Sequence, residues 1–159
     1  MKKLLIVIIF IFSVVAAQAH GLDSAQLAKD FIESIKSGKI DSLKKLVAPP
    51  EVYRKLYPKE TGALSDAEII AQTAGSPKLQ ADFDSLQAEA KHRKVDLRKL
   101  EYDSLEAENV WGTDEAPWAM TVYHSYKGKS DSFAISVIRF EGRWYFMEIL
   151  MTSSAFKEF

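Results

Sequence analysis

The hydrophobic period changes once along this 159-residue chain, and that change constrains the fold more than any single motif. From Ser24 to about Lys94 apolar residues recur every three or four positions; from about Leu97 onward they alternate. Helices and strands bury side chains at periods of about 3.6 and 2 respectively, so the two parts cannot exchange structures. Helices followed by strands, rather than interleaved with them, predict an α+β domain: N-terminal helices packed on a curved antiparallel sheet of about four strands.

Within the helical part, Ser24 can cap a segment carrying Leu27, Ala28, Phe31, Ile32 and Ile35, and Gly38 stands where a left-handed residue would end it. Asp41 or Ser42 opens a short helix with Leu43, Leu46 and Val47, stopped by Pro49-Pro50. Between Glu51 and Leu64, Tyr53, Leu56 and Tyr57 suit one helical turn, and Pro58 with Gly62 mark a loop. Ser65 and Glu68 form a capping-box pattern before Ile69 and Ile70, with Gly75 as the stop. Ser76-Pro77 then starts the longest helix, which places Leu79, Phe83, Leu86 and Ala90 on one face and Lys91-His92-Arg93-Lys94 at its negative end.

In the strand part, Leu100 and Tyr102 alternate with charged residues, and further strands are expected near 118–126, 133–140 and 143–150. Glu141-Gly142 reads as a two-residue hairpin loop, which sets Phe140 opposite Arg143, Arg139 opposite Trp144, Val137 opposite Phe146 and Ile135 opposite Glu148. A four-residue loop from Lys127 to Ser130 brings Val122 opposite Ile135 and Met120 opposite Val137. One face then reads Trp118, Met120, Val122, His124; Phe133, Ile135, Val137, Arg139; Trp144, Phe146, Glu148, Leu150. A five-residue loop would slip the register by one and turn Thr121 and Tyr123 inward instead.

Three polar residues, His124, Arg139 and Glu148, fall on that apolar face. A carboxylate there is costly to bury unless paired or protonated, which makes Glu148 the candidate catalytic carboxylate. His124 is its candidate assistant, with backbones on the order of 11 Å apart from strand spacing and rise. Arg139 beside Trp118 and Trp144 can hold an anion or stack on the indoles. With Met120, the candidate ligand-binding set is Trp118, Met120, His124, Arg139, Trp144 and Glu148. The chain has no Gly-rich phosphate loop, HExxH, nucleophile elbow or calcium loop, and His20, His92 and His124 show no ligand spacing, so neither cofactor nor metal is expected.

The first residues give an address. Lys2-Lys3, an apolar run from Leu4 to Ala17 broken only by Ser13, and Ala17-Gln18-Ala19 have the form of a signal peptide over residues 1–19. The run is shorter than the about 20 residues a span needs, so residues 20–159 are expected as one exported domain, in periplasm or medium, with no membrane span after cleavage. Cysteine is absent, which excludes a lipidated cysteine, disulfides, thiolate zinc sites and cysteine nucleophiles. Removing Lys2 and Lys3 leaves 19 basic against 22 acidic residues, a balance that argues against nonspecific nucleic-acid binding.

The pattern Ala28-x-x-Phe31-x-x-x-Ile35-x-x-Gly38, then Leu43 and Leu46, and the terminal Phe140-Glu141-Gly142-Arg143-Trp144 hairpin resembles the nuclear transport factor 2-like, or cystatin-like, α+β cone superfamily, especially its small secreted bacterial members. Residues 49–75 depart from it, being helical or looped where many relatives have a strand pair. The resemblance implies a curved sheet partly wrapping a long helix, with a cavity used by different relatives for catalysis, ligand binding or protein association; it carries no catalytic residue over to this chain. The leading expectation is an exported, noncatalytic domain that binds a small apolar ligand or a protein partner. The alternative is a small hydrolase, isomerase or lyase using Glu148, and a homodimer through the sheet is a third expectation.

Overall fold

Asp23, one residue earlier than expected, caps the first helix, α1 (Ser24–Ser37), its carboxylate accepting from the Gln26 amide at 2.6 Å. The computed structural model describes residues 23–109, 112–113, 117–150 and 155–159; the segment read as a signal peptide lies outside the described residues. Helix α1 buries Leu27, Ala28, Phe31, Ile32 and Ile35 and ends at Gly38, whose φ of 65° is the left-handed geometry that glycine adopts without strain. Helix α2 (Ile40–Lys44) follows, and the chain beyond it meets the sheet: Val47 forms a parallel bridge with Phe146, whose amide donates to the Leu46 carbonyl at 2.9 Å.

Two prolines expected to break structure instead begin it. Pro50 is the first residue of α3 (Pro50–Leu56) and Pro58 the first of α4 (Pro58–Thr61), where a loop was expected. At that position the missing amide costs nothing and the fixed φ is already helical. Helix α5 (Asp66–Gln72) carries the expected capping box of Ser65 and Glu68, and α6 (Pro77–His92) buries Leu79, Phe83, Leu86 and Ala90 behind the Ser76 cap.

After a 3-10 turn at Leu97–Lys99, strands β1 (Glu101–Glu108), β2 (Trp118–Tyr126), β3 (Lys129–Phe140) and β4 (Arg143–Ile149) form one antiparallel meander in the order β1-β2-β3-β4. The architecture is the α+β class that the change of period implies.

The register departs from expectation in two places. Lys127 and Gly128 close the β2–β3 hairpin alone, with φ of 52° and 77°, so Met120 faces Ile135 and Val122 faces Phe133. Two positive φ values match the right-handed twist of the flanking strands, which favours this short turn over a four-residue loop. The correction is two residues, an even number, so the inward face keeps its membership. Between β3 and β4 the pairing agrees with expectation from Phe140↔Arg143 to Val137↔Phe146, then a bulge shifts it to Ser136↔Glu148 and Ile135↔Ile149. Ile149 rather than Leu150 therefore turns inward, at 2% against 45% exposure, and Glu148 leaves the apolar row. A bulge that exchanges a carboxylate for isoleucine avoids burying a charge.

Phe31 of α1 joins helix to sheet, its ring edge-on to Phe133 at 5.6 Å and stacked on Phe146 at 5.7 Å. Strand β1, at the sheet edge, is mostly exposed and carries Glu101, Asp103, Glu106 and Glu108, charges that discourage edge-to-edge pairing.

Candidate functional site

His124 is enclosed, with 0% exposure, on the inward face of β2 opposite Asp131. Its Nδ1 lies 2.8 Å from the Asp131 carbonyl oxygen, which can only accept, so Nδ1 carries the proton and Nε2 is left with a lone pair. Nε2 is buried and finds no hydrogen-bond partner among the described residues. The ring packs 4.2 Å from Phe133, 5.6 Å from Phe159 and 6.0 Å from Phe156. Burial pushes its pKa down from 6.5 to about 4 against the opposing charges of Asp131 and Asp103, so the imidazole is neutral at pH 7.

Residues 155–159 cover this ring and are tied in place by polar contacts. Lys129 Nζ donates to the Glu158 carbonyl at 3.1 Å, Arg93 to the Lys157 carbonyl at 3.3 Å, and the Glu158 amide to the Asp131 carboxylate at 3.4 Å.

Glu148 stands apart from His124. Its carboxylate meets Lys78 Nζ at 3.0 Å, and the same ammonium reaches Asp82 at 2.6 Å, which together with Glu148 raises the Lys78 pKa. With 42% of the Glu148 side chain exposed, this ion pair joins α6 to β4 at the surface. The bulge at Ser136/Val137 is the physical reason that Glu148 does not share the inward face of the sheet with His124.

The other candidates divide further. Met120 lies in the core. Trp118 and Trp144 meet edge to face at 5.1 Å, and the exposed Arg139 guanidinium lies 5.7 Å from the Trp144 ring. Among the described residues the six candidates thus fall in three places: Met120 and His124 in the core, Trp118, Trp144 and Arg139 in an indole–guanidinium stack, and Glu148 in a surface ion pair.

Among the described residues a cleft opens between the short helices and the β4 bulge. It has a volume of about 360 Å³ and is lined by Tyr53, Tyr57, Glu60, Thr61, Leu64, Ile69, Gln72, Thr73, Pro117 and Met147. Local chemistry holds its wall. The Thr61 hydroxyl lies 2.7 Å from the Tyr57 carbonyl and 3.3 Å from the Tyr53 carbonyl, the second contact tying α4 to α3. Arg54 donates to the Leu64 carbonyl at 2.9 Å and pairs with Asp66, fixing the start of α5 against α3. Burial raises the Tyr53 phenol pKa; burial, and then the Glu60 carboxylate, raise that of Tyr57. Tyr57 Oη is itself buried without a hydrogen-bond partner among the described residues.

These cleft residues were missed in the sequence, although Tyr53 and Tyr57, four apart on one helical turn, were the available signal. A second surface cleft of about 400 Å³ runs past Lys36, Gly38, Gln87, Lys91, Asp96 and Arg98, and is more polar. Two of its cations are already paired, Lys36 with Glu33 and Arg98 with Asp96. Among the described residues no group of three or more His, Asp or Glu side chains gathers as a metal site, and no helix is long and apolar enough to cross a membrane. The chain matches no family model, no curated protein and no solved structure.

Proposed function

We propose that this chain is an exported, noncatalytic binding domain whose ligand is a small molecule with an apolar body, held in the cleft between α3–α5 and Met147. The observation that carries the reading is the cleft itself. Its volume of about 360 Å³ falls in the range of small-molecule sites, and Tyr53, Leu64, Ile69, Pro117 and Met147 give it a largely apolar wall with few polar groups. Export rests on the signal-peptide form of residues 1–19. A long first helix packed on a four-stranded meander supports the likeness to the nuclear transport factor 2-like cone. With His124 enclosed and Glu148 engaged by Lys78, no observation favours the acid–base alternative.

The test is native mass spectrometry of the chain purified from its native host, followed by extraction of bound small molecules. A retained apolar compound that is lost when Met147→Trp fills the cleft is the expected result. Ligand-free protein that also takes up nothing from a panel of apolar compounds would sink the reading.

A further inference from the structure

If the cleft is the binding site, as proposed above, the charge of its wall narrows the ligand further. Of the lining residues Glu60 alone carries a formal charge. Among the described residues it has no ion-pair partner, while the basic residues of neighbouring α3 are engaged elsewhere: Arg54 with Asp66 and the Leu64 carbonyl, Lys55 with Glu141 and the Phe140 ring. Beside Glu60 stand the Tyr53 and Tyr57 rings, with centroids 6.4 Å apart and planes inclined at 31°. Aromatic rings attract a cation through their quadrupole, and a nearby carboxylate adds to that attraction. A compact metal ion or primary ammonium is strongly hydrated and would lose that water against Leu64, Ile69 and Met147. An alkylated ammonium is weakly hydrated and loses little. An anion would be repelled by Glu60, and a neutral ligand would leave the carboxylate unused.

We propose that the cleft takes an organic cation, an alkylated ammonium group on an apolar body, with the charge beside Tyr53, Tyr57 and Glu60 and the body against Leu64, Ile69 and Met147. Recognition then comes from two components that can be separated, the apolar wall and the unpaired carboxylate.

Two probes of one shape separate them. Benzyltrimethylammonium and neopentylbenzene differ by a charged nitrogen in place of carbon, and their binding to the full chain can be followed by chemical-shift titration. The ammonium should bind about tenfold more tightly than its neutral twin, and Glu60→Gln should weaken it about fivefold while leaving the neutral probe unchanged. Glu60 is exposed, so the variant keeps the fold. Equal affinities, or an ammonium affinity indifferent to Glu60→Gln, would overturn the cation assignment and leave the apolar-ligand reading standing. Binding of neither probe would overturn both.

Discussion

His124 and Tyr57 present the same problem in two surroundings. Each has a buried polar atom without a partner among the described residues, Nε2 in one and Oη in the other. An unsatisfied buried polar atom costs about 1–3 kcal/mol. Around His124 the structure is closed: Phe133 and Phe159 pack on the ring, and residues 155–159 lie over it with three polar ties. Around Tyr57 the structure is open, since the short helices leave a cleft of about 360 Å³ at its side. The difference teaches how each group remains tolerable. His124 sheds its charge and becomes a core aromatic with one good hydrogen bond; Tyr57 keeps its hydroxyl buried and unpartnered among the described residues while its side chain lines the cleft.

The comparison breaks most directly by truncating each side. Phe31→Ala removes a fully buried ring that touches both Phe133 and Phe146, and should cost about 3–5 kcal/mol in urea denaturation. Met147→Ala removes a half-buried side chain from the rim of an existing cleft, where little new void is created, and should cost far less. Equal losses would mean that the cleft wall is as tightly packed as the core.

A pH series sharpens the same comparison at His124. Its folded-state pKa lies below its unfolded value, about 4 against 6.5, so the unfolded chain takes up the proton first. The associated stability is fully present above pH 6.5, declines as the pH falls toward 4 and is gone below it. The total is about 3 kcal/mol from the size of the shift. Urea midpoints measured across that window should fall with pH in the natural chain, and His124→Phe should remove that component. A midpoint slope identical in the two proteins would show that the imidazole reaches water, contrary to its enclosure by Phe133, Phe156 and Phe159.

Features that depend on parity were legible in the sequence, and those that depend on exact length were not. The inward row from Trp118 to His124 and from Phe133 to Val137 needs only the alternation of side chains, and a two-residue error at Lys127-Gly128 left it intact. The bulge at Met147 changes the count by one, and no residue there announces it; Glu148 and Leu150 consequently moved off the row and Ile149 onto it. Capping chemistry is local, so Ser65 with Glu68 and Ser76 before Pro77 were legible. Prolines are ambiguous because one residue both ends a helix and begins another, which hid α4 and the start of α3 at Pro50. The cleft was illegible for a different reason. Its wall joins Tyr53, Ile69, Pro117 and Met147 across almost a hundred positions, and long-range packing of short helices leaves no periodic trace.

The smallest effect expected is also the most specific to the open side. Tyr57→Phe deletes the hydroxyl and keeps the ring that packs near Tyr53. Because that oxygen finds no partner among the described residues, its removal forfeits no hydrogen bond and relieves a desolvated polar atom, so the empty protein should be as stable as the natural chain or more stable by up to about 1 kcal/mol. His124→Phe differs in kind, since it abandons the bond from Nδ1 to the Asp131 carbonyl and leaves that acceptor one donor short. Calorimetric unfolding of the two variants at pH 7 compares them directly, with His124→Phe the less stable. A loss above about 1 kcal/mol for Tyr57→Phe would mean that the hydroxyl is satisfied when the cleft is empty, and the open region would then be as self-sufficient as the closed one.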